Sequence, residues 1–126
     1  MTPIPVLCVD DSVDLLHVLR FMIDRTPDLA CVGTLETAAD LPGQVERHGA
    51  QVVVLDLGIP NCDALGQLRD LKRSGSAAKT IVFSGNNDND IVDRSFDAGA
   101  DACIRKGSDP MTIIETIRRV VQEQAG

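Results

Sequence analysis

The stretch "VVVLDLGIP", Val52 to Pro60, decides how this chain reads. Three valines and a leucine run without a break, which is the pattern of a β-strand buried on both faces. Asp56 then ends the run. Burying a lone carboxylate is costly, so the residues around Asp56 must supply what it needs.

Four other short apolar runs resemble this one: "IPVLCVD" (4–10), "LACVGTL" (29–35), "KTIVFSG" (79–85) and "DACIRKG" (101–107). With 51–57 they make five predicted strands. Segments of helical character separate them. Residues 12–25 place Leu15, Val18, Leu19, Met22 and Ile23 on one face at 3.6-residue spacing, with Leu16 at the rim and Val13 and Phe21 outside it. Ser12 is placed to cap this helix, and Pro27 follows its end. Further helices are predicted over 37–48, 63–74, 88–98 and 110–124. The third carries Leu65, Leu68 and Leu71. The fourth carries Ile91, Val92 and Phe96. The last carries Ile113, Ile117, Val120 and Val121. Strict alternation of strand and helix implies parallel βαβ units, hence a doubly wound α/β fold of five strands and five helices. The 126 residues are one domain's worth, spanning 1–126.

Composition narrows the function. The net charge of −7 repels a phosphate backbone, and three Phe with no Tyr or Trp leave few platforms for base stacking, so direct nucleic-acid binding is not expected. No window is long enough for a membrane span and no signal peptide is visible, so no membrane contact and a cytoplasmic setting are expected. Cys8, Cys31, Cys62 and Cys103 are widely spaced. Cys8, Cys31 and Cys103 sit in apolar runs and read as small buried hydrophobes rather than as a disulfide framework.

In an open parallel sheet, ligands bind beyond the carboxyl ends of the strands. The first strand ends in Asp10-Asp11, the third around Asp56, the fourth in Ser84-Gly85 and the fifth in Lys106. Three carboxylates without imidazole or thiolate partners suit a hard divalent cation, Mg²⁺. A carboxylate can also attack phosphorus to give an aspartyl phosphate. The cation and Lys106 would then neutralise the transferring phosphoryl group, and Ser84 could hydrogen-bond it. Taken singly, Asp10-Asp11 could cap a helix, Asp56 could be a turn residue and Lys106 a solvated charge. Their convergence at one edge favours the site. His17 and His48 lie on helical segments away from this edge and read as surface residues. "SGNNDND" (84–90) lacks the glycine and terminal glutamate of a calcium loop and reads as a loop with a helix cap.

The ordered set Asp10-Asp11, Asp56 in "DLGIP", Ser84-Gly85 and Lys106 after "GADACIR" resembles the response-regulator receiver domain of two-component signalling. The resemblance covers nearly the whole chain. It implies a flavodoxin-like sheet of order 2-1-3-4-5. It makes Asp56 the phosphoacceptor, served by a histidine kinase or histidine phosphotransfer protein. Asp11 would bind Mg²⁺ directly, Asp10 mainly through water, and Gly58 through its carbonyl, while Ser84 and Lys106 would hold the phosphoryl oxygens. Its only catalysis would be its own phosphorylation and dephosphorylation, and its output a contact with a further protein. The alternatives are a docking module that never takes phosphate, and the N-terminal receiver of a longer transcription factor. The chain departs from the pattern at Cys103, where the family usually has an aromatic, at Ala64, where Gly is common, and at Gly107, where Pro is common. A phosphatase on this fold would want a second Asp where Gly58 stands. A dinucleotide enzyme would want glycines where "VDDSVD" stands.

Overall fold

The computed structural model describes residues 2–85 and 89–125. Among them, strands and helices alternate throughout: β1 (Ile4–Val9), α1 (Val13–Asp24), β2 (Leu29–Leu35), α2 (Leu41–His48), β3 (Val52–Asp56), α3 (Ala64–Arg73), β4 (Lys79–Ser84), α4 (Asn89–Asp97), β5 (Ala102–Arg105) and α5 (Pro110–Ala125). All neighbouring strands are parallel, in the order β2-β1-β3-β4-β5. Every predicted strand is present.

The sheet is packed on both faces, which is why its central strands lack polar alternation. On one side Val6, Cys8, Val54 and Ile81 meet Leu16, Leu19 and Ile23 of α1 and Ile113, Ile117 and Val120 of α5. On the other, Leu7, Val9, Val53, Leu55 and Val82 meet Leu41 and Val45 of α2 and Leu68 and Leu71 of α3. All five residues of β3 are buried, Asp56 included. Full burial of each such Val or Leu is worth roughly 1.5–3 kcal/mol, which fixes the strand ends that carry the polar groups.

Three helix details differ from expectation. In α1 the buried stripe is Leu16, Leu19 and Ile23, with Leu15 and Met22 half-buried, whereas Val18 is 51% exposed. Apolar residues are dense enough on this helix to offer two adjacent stripes, and packing on the sheet selects between them. Val13 and Phe21 lie outside the stripe as expected. Second, α2 begins at Leu41 rather than Thr37, because Asp40 takes a left-handed conformation (φ 54°) and breaks the helical path. Third, α4 fully buries Ser95 alone, and Phe96 is 48% exposed. The predicted start of that helix at Asp88, and the loop residues Asn86 and Asn87, lie outside the described residues.

All four cysteines are free; Cys8 is buried as expected, but Cys31 and Cys103 are only half-buried, since each lies on an outer strand of the sheet. His17 is exposed, whereas His48 is half-buried, its ring lying where a Cβ on Gly33 would come within 2.6 Å. Among the described residues no helix is long and apolar enough to cross a membrane.

Candidate functional site

The site forms where β1, β3, β4 and the end of β5 deliver their last residues to one edge of the sheet. At the end of β1 the Asp10 amide is held by the Leu35 carbonyl (2.9 Å), and its Oδ1 accepts the Ser12 amide (2.9 Å). That turn starts α1, which Ser12 caps by accepting the Leu15 amide (3.2 Å). The same geometry leaves Asp10 buried and Asp11 exposed. Asp56 is the last residue of β3, buried, with Oδ1 accepting the Gly58 amide (3.0 Å). Ser84 is the last, buried residue of β4, and its carbonyl accepts the Lys106 amide (2.8 Å), which ties the ends of β4 and β5 together.

From there the Lys106 ammonium reaches Asp10 Oδ2 at 2.9 Å and Asp56 Oδ1 at 3.4 Å. It also lies over the Phe83 ring, 5.7 Å from its centre, a favourable cation–π position. Asp10, Asp11 and Asp56 each offer a carboxylate oxygen within 4.8 Å of the others. Beside them is a pocket of about 350 Å³ lined by Asp11, Asp56, Leu57, Gly58, Ser84, Gly85, Ile91 and Lys106. All the predicted site residues therefore converge. The apolar walls Leu57 and Ile91, and the Phe83 ring under Lys106, were not foreseen. Leu57 and Phe83 adjoin Asp56 and Ser84 in sequence and could have been noticed. Ile91 gives no such signal, because its spacing looks like that of an ordinary core residue.

Electrostatics at this edge are unbalanced. Burial pushes the Asp56 carboxyl above its usual range and Asp10 adds to the effect, while the Gly58 amide and Lys106 hold it back in part. Burial alone would depress Lys106, but its contacts with Asp10 and Asp56 outweigh that and raise it. Three carboxylates gather around one ammonium, which is the partner of the enclosed Asp10 Oδ2. An all-oxygen donor set with excess negative charge fits a hard divalent cation such as Mg²⁺.

Residues 6–118 match the family model of the response regulator receiver domain. The chain belongs to that family. Receiver domains are the phosphorylation-controlled modules of two-component response regulators, and they bind Mg²⁺ at an acidic pocket of this kind. This receiver is 30% identical over 117 residues to the nitrate/nitrite response regulator protein NarP of Escherichia coli, covering 93% of this chain and 54% of NarP. It is 33% identical over 107 residues to protein-glutamate methylesterase/protein-glutamine glutaminase 5 of Myxococcus xanthus, covering 84% of this chain and 31% of that protein. The chain thus spans about half or less of these relatives. Its fold also matches a CheY-like receiver domain protein from Methanospirillum hungatei, with a TM-score of 0.87, 22% identity and 98% of each chain covered.

Proposed function

We propose that residues 1–126 act as a single receiver that takes a phosphoryl group on Asp56 from a phosphohistidine of a histidine kinase or phosphotransfer protein, and signals by contact with a further protein. The observation that carries this reading is the placement of Asp56. It is buried at a strand end, opens on the pocket, and has the Lys106 ammonium 3.4 Å away.

An Asp56 carboxylate oxygen attacks phosphorus. The new O–P bond forms as the P–N bond to the donor imidazole breaks, and the imidazole leaves with the electron pair. Lys106 is charged and near enough to take up a phosphoryl oxygen, and Ser84, on the same pocket wall, can hydrogen-bond another. Asp10, Asp11, Asp56 and the Gly58 carbonyl would hold Mg²⁺, which when bound supplies positive charge against the phosphoryl oxygens. The Gly58 amide fixes one face of the Asp56 carboxylate, so the nucleophile is oriented before the donor arrives.

Transmission falls to α4. Ser84 also lines a second cavity, of about 180 Å³, with Asn89, Val92, Phe96, Cys103, Ile104 and Arg105. Cys103 is too short to sweep between buried and exposed positions as an aromatic can. Val92 and Phe96 of α4, which line this cavity and belong to neither core cluster, are the side chains placed to respond to a shift of Ser84.

The reading is tested with Mg²⁺ and beryllofluoride, a mimic of the acyl phosphate. Backbone NMR is expected to show shifts at Asp10, Asp11, Asp56, Gly58, Ser84 and Lys106 and along α4, with little change at Cys103. Asp56→Asn is expected to show none of them. A parental chain that binds no beryllofluoride would leave a docking module that never takes phosphate.

A further inference from the structure

The pocket beside Asp56 is lined by the polar side chains of Asp11, Asp56, Ser84 and Lys106, two glycines, and two apolar side chains, Leu57 and Ile91. The two apolar side chains differ in what else they do. Leu57 also packs against the core on the α2–α3 side of the sheet. Ile91, in the first turn of α4, is half-buried yet belongs to neither core cluster. Its apolar surface faces the site rather than the sheet. The side at Gly58 is the reverse: among the described residues, a Cβ there would meet only the Asp56 carboxylate, at 3.5 Å and beyond. The pocket is therefore open past Gly58 and walled by Ile91.

We propose that Ile91 is a specificity-determining residue for the acyl phosphate on Asp56, an apolar wall that limits how much water and how large a phosphodonor reach the phosphorus. This rests on the reading of Asp56 as the acceptor. In the step it restrains, a water oxygen attacks phosphorus, the bond between phosphorus and the Asp56 oxygen breaks, and the carboxylate leaves with the electron pair. The water's proton passes to solvent and inorganic phosphate departs. An isoleucine at the wall keeps part of the pocket free of the water that this step consumes. It also narrows the space beside Lys106 that a donor must enter.

The test compares Ile91→Ala, Ile91→Leu and Ile91→Phe in the full chain, loaded from acetyl phosphate or the smaller phosphoramidate with Mg²⁺. Ile91→Ala is expected to shorten the phosphoryl lifetime several-fold, Ile91→Leu to keep it, and Ile91→Phe to lengthen it. Ile91→Phe should also slow loading from acetyl phosphate more than from phosphoramidate. A general loss of packing would not produce opposite shifts from small and large side chains, and the thermal midpoint of Ile91→Ala should stay near the parental value because the residue lies outside both clusters. Equal lifetimes in all variants, or a shift in one direction for both Ala and Phe, would overturn the proposal. A parental chain that takes no phosphoryl group, shown by the absence of beryllofluoride binding as well, would instead refute the acceptor reading, and this inference with it.

Discussion

Two clusters of charge sit at opposite ends of the same sheet, and they are built differently. At the amino ends of β4 and β5, Asp101 is one carboxylate among several donors. Its Oδ2 accepts the Thr80 amide at 2.8 Å and the Lys72 ammonium at 3.1 Å, and Lys79 lies 3.7 Å from Oδ1. Lys72 also donates to the Ala78 carbonyl at 3.3 Å. At the carboxyl ends, three carboxylates gather around one lysine, and Asp56 is pushed up by burial and by Asp10. The first cluster is arranged to hold β5 against α3. The second leaves carboxylates in excess over its one lysine, and it lies at the open edge where a doubly wound sheet binds ligands. Imbalance of charge, rather than burial of charge, separates the functional end from the structural one.

The largest expected effect is on phosphoryl loading. Asp56→Asn should abolish incorporation from a small phosphodonor, since an amide is a poor nucleophile, whereas Asp101→Asn should load at the parental rate. Mass spectrometry of the loaded chain checks both, and loading of Asp56→Asn would remove the acceptor from β3. Next is stability at the balanced end. Asp101→Asn should cost about 1–3 kcal/mol in a denaturant titration, because Lys72 and the Thr80 amide lose their charged acceptor. No loss there would mean that the network is decoration.

Adding Mg²⁺ should sharpen the contrast from the other side. At ten times its Kd the cation should stabilise the parental chain by roughly 1.4 kcal/mol, and Asp11→Ala should lose most of that gain. Calorimetry rather than tryptophan fluorescence must be used, as the chain has no Trp. A smaller, few-fold effect is expected at Phe21, 61% exposed on α1 with the Arg25 guanidinium 5.1 Å from its ring centre. Phe21→Ala should slow transfer from a cognate phosphohistidine partner and leave small-donor loading unchanged. Equal slowing with both donors would assign Phe21 to folding instead.

Most of the functional end was legible because its residues stand where apolar runs stop. Asp56 and Ser84 end a strand, Asp10 and Lys106 directly follow one, and the alternation of strands with helices brings strand ends together. What was not legible depended on which face of a helix the sheet would claim. Val18 and Leu16 exchange places for that reason, and Ile91 passes for a core residue until its neighbours are known. The Asp101 network was hidden because a carboxylate just before β5 looks like any loop residue. Its partners, Lys72 and Lys79, come from other elements. The late start of α2 turned on the left-handed backbone at Asp40, which the sequence "ETAAD" does not announce.

Burial and Asp10 favour the neutral form of Asp56, and the phosphoacceptor must be the charged one. The folded carboxyl is raised above the ordinary aspartate value of 3.8, so the unfolded chain releases its proton first as pH rises. Stability from this group is therefore greatest below that value, falls as pH climbs to the raised one, and stays reduced at neutral pH. Thermal unfolding of Asp56→Asn without Mg²⁺ at neutral pH tests this most directly. The variant is expected to have a higher midpoint than the parental chain, by an amount worth roughly 1 kcal/mol, and a flatter dependence on pH above 4. A lower midpoint would contradict this, showing Asp56 to be a stabilising ion-pair partner of Lys106 like Asp101 at the other end.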